Sequence, residues 1–279
     1  MSLPIKKTYK LFINGAFPRS ESGRSYQIAD KSGDFIANPA QASRKDLRDS
    51  VVAARSALAG WSSATAYNRG QILYRVAEIM QGRSAQFEGE IKALIGGSTK
   101  AAQVEVSAAI DLLVWYAGWC DKISTLSGST NPIAAPYYNF TIPEPVGVVG
   151  IIAPERESLL GLIKALAPIL SGGNTAVLLA SERLPLPAIT LSEVLATSDL
   201  PAGVVNILTG KKSELVPWLA SHMEVDALDI TGAAKKDDVE IRTAGVANLK
   251  RIHRFGATES PERILAFMEY KTVWHPIGN

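Results

Sequence analysis

Between residues 146 and 255 the chain alternates short apolar runs with amphipathic stretches. Five runs read as strands: 146–152, 175–179, 204–208, 227–230 and 249–255. Between them, residues 158–170, 187–197, 213–221 and 236–244 read as helices. Strands that alternate with helices at this spacing build βαβ units, and hence a parallel sheet covered on both faces. Several of the runs are apolar throughout, as strands buried on both faces are. Upstream the period becomes helical. Ser43 is placed to cap a helix whose Leu47, Val51, Ala54 and Leu58 fall on one face. Residues 68–81 predict a second helix, with Ile72, Leu73, Val76 and Ile79 inward. Residues 84–95 predict a third, stopped by Gly96 and Gly97. A long fourth runs over 100–123, with Trp115, Tyr116 and Trp119 at core spacing. Lys10 to Phe17 reads as a hairpin around Asn14-Gly15, since both turn positions tolerate positive φ.

Two segments break this regularity. Residues 124–144 hold a Gly-, Ser-, Asn- and Pro-rich stretch and then a β-prone one, which predicts a β-excursion from the body. Pro143 and Pro145 confine that strand to an edge or a bend. Near the C-terminus, 261–268 reads as a short helix and 270–277 as an alternating, β-prone edge strand. The expected fold is α/β: a Rossmann-like five-stranded parallel sheet, an N-terminal helical layer and a small β-arm. The expected segments are 1–123, 124–145, 146–256 and 261–279.

Composition narrows the function classes. The 279 residues are 47% hydrophobic and 20% charged, as in a globular protein. A net charge of +2 gives no argument for nucleic acid or an anionic membrane. The doublets Lys211-Lys212 and Lys235-Lys236 are too short for a polybasic patch. The second opens a helix and could neutralise a phosphate, although a solvated pair is the expectation. No apolar run has membrane length, because Lys164 and Pro168 interrupt the longest candidate. The first seven residues lack the apolar core of a leader, so the cytoplasm is the expected location. A single cysteine, Cys120, excludes an internal disulfide and a cysteine metal cluster. His222, His253 and His275 show no ligand spacing, so no metal site is predicted.

An ordered set of short motifs carries a family resemblance. It begins with Leu11 to Gly15 (LFING), then Tyr116 to Trp119 (YAGW), Asp121 to Ile123 (DKI) and Glu144 to Gly150 (EPVGVVG). Gly173 to Thr175, Ser181-Glu182, Pro185-Leu186, Leu200-Pro201 and Gly203 to Asn206 follow. Thr209-Gly210, Thr231-Gly232 and Asn248 to Lys250 complete the series. In order and spacing this set resembles the cofactor domain of the aldehyde dehydrogenase superfamily, over nearly the whole chain. In finer detail it resembles the truncated second module of two-module, family-16-type aldehyde dehydrogenases. The resemblance implies a catalytic domain with a nucleophilic cysteine between the sheet and a C-terminal pairing strand. Here only residues 257–269 separate the two.

The departures from the family pattern set the functional expectation. The oxyanion-hole Asn position carries Arg156, within the charged run Glu155, Arg156, Glu157, which is expected to be a solvated loop. The ribose-binding pair keeps Glu182 and loses its Lys to Leu179. The pyrophosphate Ser, at a helix start, is Ala233. The general-base position carries Arg254, which holds its proton. Cys120 falls at an unremarkable helix position and is expected to be a packed small side chain. No catalytic residue is therefore assigned. Glu182 is the residual cofactor contact, and no cofactor is expected, with NAD bound weakly if at all. The expected role is a catalytically inactive module for oligomerisation or scaffolding; the alternative is an NAD(P)-binding module. In the family the arm sheet joins a neighbouring subunit. The expected partner is therefore a second copy or a catalytic aldehyde dehydrogenase module, anchored by Tyr270, Val273 and Trp274.

Overall fold

Residues 7–278 are described here in a computed structural model. The leader reading at residues 1–6 and the final residue of the arm segment, Asn279, lie outside them. Short β1 (Ile28–Ala29) and β2 (Phe35–Ala37) pair antiparallel. Then come α1 (Arg44–Ser63), α2 (Ala66–Gly82), α3 (Ser84–Ile95), α4 (Thr99–Ala117) and α5 (Ile123–Ser127). Strands β3 (Ser129–Thr130) and β4 (Tyr137–Pro145) lead into the βα series. That series is β5 (Val148–Ile152), α6 (Leu160–Ser171), β6 (Thr175–Leu179), α7 (Leu186–Leu195) and β7 (Val205–Leu208). It continues with α8 (Lys212–Ser221), β8 (Ala227–Asp229), α9 (Asp238–Gly245) and β9 (Arg251–His253). The chain closes with α10 (Glu262–Leu265) and β10 (Met268–Pro276).

The five-stranded sheet has the order β7-β6-β5-β8-β9, and all its pairs are parallel. Strand polarity and side-chain alternation divide the interior into two cores. Val149, Ile151, Leu178 and Ile207 face one core, shared with α2, α3, α4, α6 and α7. Val148, Ile152, Val177 and Leu179 face the other, shared with α1, α8 and α9. The N-terminal helices are thus not one layer. Leu47, Val51 and Ala54 of α1 pack on the opposite face from Leu73, Val76 and Met80 of α2. Their periodicity marks an inward face but carries no information about which side of the sheet receives it.

Local chemistry explains the helix limits. Ser43 accepts from the Lys45 and Asp46 amides, while the Asp46 side chain accepts from the Ser43 amide, a closed capping box. Gly96 ends α3 in the left-handed region at φ 57°. Asn14 and Gly15, at φ 51° and 73°, make the expected tight turn, and Phe12 bridges onto Ile207 at the outer edge of β7.

Three expectations are corrected. The long fourth helix stops at Ala117, so Cys120 lies in the following turn, buried, with its thiol pushed up by burial. Of the aromatic trio, Tyr116 is fully buried, Trp119 is half-buried, and Trp115 is exposed and packs edge-on against Tyr116. The strand expected over 249–255 shortens to Arg251–His253, because Leu249 is left-handed and exposed.

In the β-arm, β4 lies between β10 and β3. β3 pairs only with Phe140 and Thr141, so Pro143 and Pro145 sit where one side of the strand has no partner. β10 runs antiparallel to β4 from Met268↔Pro145 to Pro276↔Tyr137.

Lys250, just before β9, is 8% exposed and donates to the His222 carbonyl at 2.7 Å and to the Asn248 side chain. Burial pushes its ammonium down to about 8, against the pull of Asp226. The unfolded chain keeps this proton up to the ordinary lysine range. Between about pH 8 and 10.5 it therefore binds more protons than the folded chain, and Lys250's contribution to stability rises with pH. Denaturant melts of wild type and Lys250→Met across that window should diverge in favour of wild type, by at most about 3 kcal/mol.

Candidate functional site

Strand order reverses between β5 and β8. The crevice outside the carboxyl ends of such a pair is where open α/β sheets take ligands. Here it encloses ≈ 870 Å³, lined by Pro154, Glu155 and Arg156 after β5, and by Glu182 and Arg183 after β6. Lys212 at the start of α8 and Thr231, Gly232 and Ala233 after β8 complete its floor, with Lys236 and Glu240 on the rim. A second groove, of ≈ 700 Å³, lies where Arg44 stacks 3.6 Å over the Trp218 ring. There Glu21 accepts from Ser43 Oγ at 3.1 Å and pairs with Lys45 at 3.7 Å, away from the switch point.

Glu155 is not part of a solvated loop, as the charged run suggested. Arg156 and Glu157 are exposed, but Glu155 turns into the crevice. Its carboxylate accepts from Ser181 Oγ at 2.7 Å and from the Glu182 and Arg183 amides, each at 3.1 Å. Lys212 Nζ pairs with it and also donates to the Ala153 carbonyl. Burial disfavours the charge, yet Lys212, Ser181 and the Arg183 amide together hold this carboxyl below the usual range.

The predicted cofactor contact, Glu182, stands on the crevice wall. It accepts from Lys211 Nζ at 2.9 Å and from the Lys212 amide at 3.1 Å, so it caps the N-terminus of α8. The start of α6 is served in the same way: Glu105 Oε1, reaching over from α4, accepts from the Leu159 and Leu160 amides at 2.8 and 3.4 Å. The sequence marked Lys211-Lys212 only as a doublet too short for a polybasic patch and Ser181 only as part of a family motif, and it did not single out Glu105. One signal was available: two lysines at a helix start oppose the helix dipole and call for a nearby carboxylate.

Thr231, Gly232 and Ala233 form a tight turn and do not open a helix. A 3₁₀ turn, Lys235–Asp237, intervenes before α9. Lys235 and Lys236 are exposed, as expected. Arg254 is folded back onto the turn. It donates to the Thr231 and Ala233 carbonyls at 3.1 and 2.9 Å and forms a two-pronged pair with Asp238. Beneath it Asp229 is buried, accepts from the Thr231 amide at 2.8 Å, and has its carboxyl pushed up by burial.

The remaining predicted residues lie elsewhere. Tyr270, Val273 and Trp274 are all in β10, but alternation separates them. Tyr270 and Trp274 share a face with Tyr137, whose ring meets Trp274 edge-on at 5.9 Å. Val273 faces the other way with Phe140, beside Tyr138. The three cannot anchor a single flat contact. His253 stacks on Phe255, and His222 accepts from the Glu224 amide. Among the described residues no group of His, Cys, Asp or Glu could hold a metal ion, and no helix is long and apolar enough to cross a membrane.

A parallel sheet with this order and a crevice at its switch point has the architecture of dinucleotide-binding α/β domains. The chain belongs to the aldehyde dehydrogenase family, whose sequence profile matches residues 17–264. It is 34% identical to retinal dehydrogenase 2 of Mus musculus over 271 residues, 95% of this chain and 51% of that protein. It is also 34% identical to cytosolic 10-formyltetrahydrofolate dehydrogenase of Xenopus tropicalis, over 90% of this chain and 28% of that one. Among solved structures, an NAD+ complex of an aldehyde dehydrogenase from Bacillus cereus superposes with a TM-score of 0.83 at 27% identity. That match covers 88% of this chain and 50% of the other. The chain thus spans about half the length, or less, of these relatives.

Gly232 carries the closest backbone approach in the crevice. A Cβ there would lie 2.1 Å from the Ala153 carbonyl oxygen and 2.4 Å from that of Ile152. Both atoms are main chain, so neither can rotate aside. Gly232→Ala should therefore cost about 3 kcal/mol or more, read as a lowered denaturation midpoint with an unchanged m-value.

Proposed function

We propose that this chain is a non-catalytic aldehyde dehydrogenase-type module that acts in assembly. It either pairs with a second copy or docks on a catalytic aldehyde dehydrogenase module in the cytoplasm, as the truncated second module of a two-module enzyme would. The observation that carries this reading is the arm. β10 has a long outer edge with no partner strand among the described residues. Tyr137, Tyr270 and Trp274 lie exposed on one face of the sheet, and Tyr138 and Ile142 on the other. Open strand edges beside apolar side chains favour pairing with another chain. Because Val273 and Trp274 point to opposite faces, edge addition suits this arm better than face-to-face stacking.

The state of the crevice supports a non-catalytic role. The residual ribose carboxylate, Glu182, already holds Lys211 and the amino end of α8. Arg254, at the general-base position, is committed to Asp238 and two carbonyls. Cys120 is buried away from the crevice, with its thiol pushed up by burial. An NAD(P)-binding module is the second reading, favoured by the open volume at the switch point with Glu182 on its wall.

Two measurements test these readings. Light scattering at high micromolar concentration should give a dimer, or a stoichiometric complex with a catalytic homologue. Trp274→Ser should weaken either one while leaving the circular dichroism unchanged. A chain that stays monomeric and ignores every such homologue defeats the assembly reading. In calorimetry, NAD and NADP should bind no tighter than roughly millimolar. Each hydrogen bond lost to a charged group is worth about 1.5–3 kcal/mol, and two such losses take a micromolar site there. Micromolar affinity would promote the second reading. NADH production from an aldehyde panel above the blank would end both the inactive and the scaffold descriptions.

A further inference from the structure

Four donors converge on one carboxylate in the crevice. Two are the consecutive amides of Glu182 and Arg183, the third is Ser181 Oγ, and the fourth is Lys212 Nζ. Ser181 and Lys212 are also held by bonds that do not involve Glu155. Ser181 is 2% exposed, and its oxygen accepts from the Leu184 amide at 2.9 Å, which directs its proton toward Glu155. Lys212 is anchored through the Ala153 carbonyl. Glu182, another carboxylate of the crevice, is paired with Lys211 at 2.9 Å. The occupant is held differently. Glu155 arrives on an exposed loop in which Glu157 takes φ 54°, and its side chain is 31% exposed. Arg156 and Arg183 line the same crevice, with no ion pair to either among the described residues.

Paired main-chain amides, a hydroxyl and an ammonium around one point are the donor set that proteins use for carboxylate and phosphate oxygens. We infer that residues 181–183 and Lys212 form an oxyanion-binding cradle. Glu155 is its intramolecular occupant, and it keeps the cradle closed to a small ligand phosphate or carboxylate until displaced. The cradle accounts for the inward turn of Glu155 from an otherwise solvated run. Its ligand class follows from the donors alone and does not require a dinucleotide. The inference goes beyond the assembly reading: it is tested without NAD, aldehyde or a partner chain, so either can fail alone.

Chemical rescue tests it. Glu155→Ala should lower the melting temperature. Inorganic phosphate should restore part of the loss when chloride at matched ionic strength does not. By calorimetry, phosphate should bind this variant at least about tenfold more tightly than wild type, since four charge-assisted or neutral donors are released to it. A parallel acetate titration distinguishes a phosphate-sized cradle from a carboxylate-sized one. Adding Lys212→Met should abolish the gain. If Glu155→Ala does not fold, Glu155→Gln carries the test, since it keeps the shape and loses the charge; a smaller gain is then expected. A folded variant that binds phosphate and acetate no better than wild type overturns the inference. So does a gain that Lys212→Met leaves intact.

Discussion

Burial of β5 on both faces is the constraint on which the rest depends. Its five residues are all inaccessible, and adjacent side chains go to opposite cores. Gly150 at its centre permits this crowding, because a Cβ there would lie 2.7 Å from a Leu228 methyl and 3.0 Å from Leu219. A strand with no solvated face must be covered twice. One cover is α1 with α8 and α9; the other is α2, α3, α4, α6 and α7. The same centrality makes β5 the strand from which the chain winds in both directions, and the crevice is the gap that this reversal leaves.

Charge in that crevice is settled within the chain. Helix starts leave amides unpaired and attract anions. At α6 and α8 those anions are Glu105 and Glu182 from neighbouring elements. Lysines at the start of α8 would be unfavourable alone, and each has a carboxylate: Lys211 has Glu182, Lys212 has Glu155. Arg254 likewise joins Asp238 to the turn after β8. A ligand entering here must replace bonds that already exist, which raises the threshold for binding without closing the volume.

The arm stands in a different regime. Its sheet is held to the body through its base, where the Val146 amide donates to the Phe267 carbonyl and Asn174 Nδ2 donates to the same oxygen. Beyond that base, aromatic side chains lie on both faces, and 58% of Trp274 is exposed. A two- to three-stranded sheet with so little burial gains much by adding a further strand.

How much of this was legible in the sequence depends on range. The apolar runs gave β6 at its observed limits, Thr175–Leu179, and α3 at Ser84–Ile95 with its glycine stop. Ser43 gave the start of α1, because capping and periodicity are local and reside in neighbouring residues. The motif series carried the family and the position of Glu182. What remained hidden required contacts between distant residues. No period places α1 and α2 on opposite faces of the sheet, since each shows only that it has an inner side. The run Glu155, Arg156, Glu157 looks uniformly solvated until β6 brings Ser181 and the neighbouring amides beside it, and α8 brings Lys212. Val273 and Trp274 are adjacent letters with apolar character, and only the register of β10 on β4 sends them to opposite faces. Local propensity thus determined the elements and their ends. The tertiary structure alone decided which charges meet, because a carboxylate's partner is set by where strands end in space, not by how far apart residues lie along the chain.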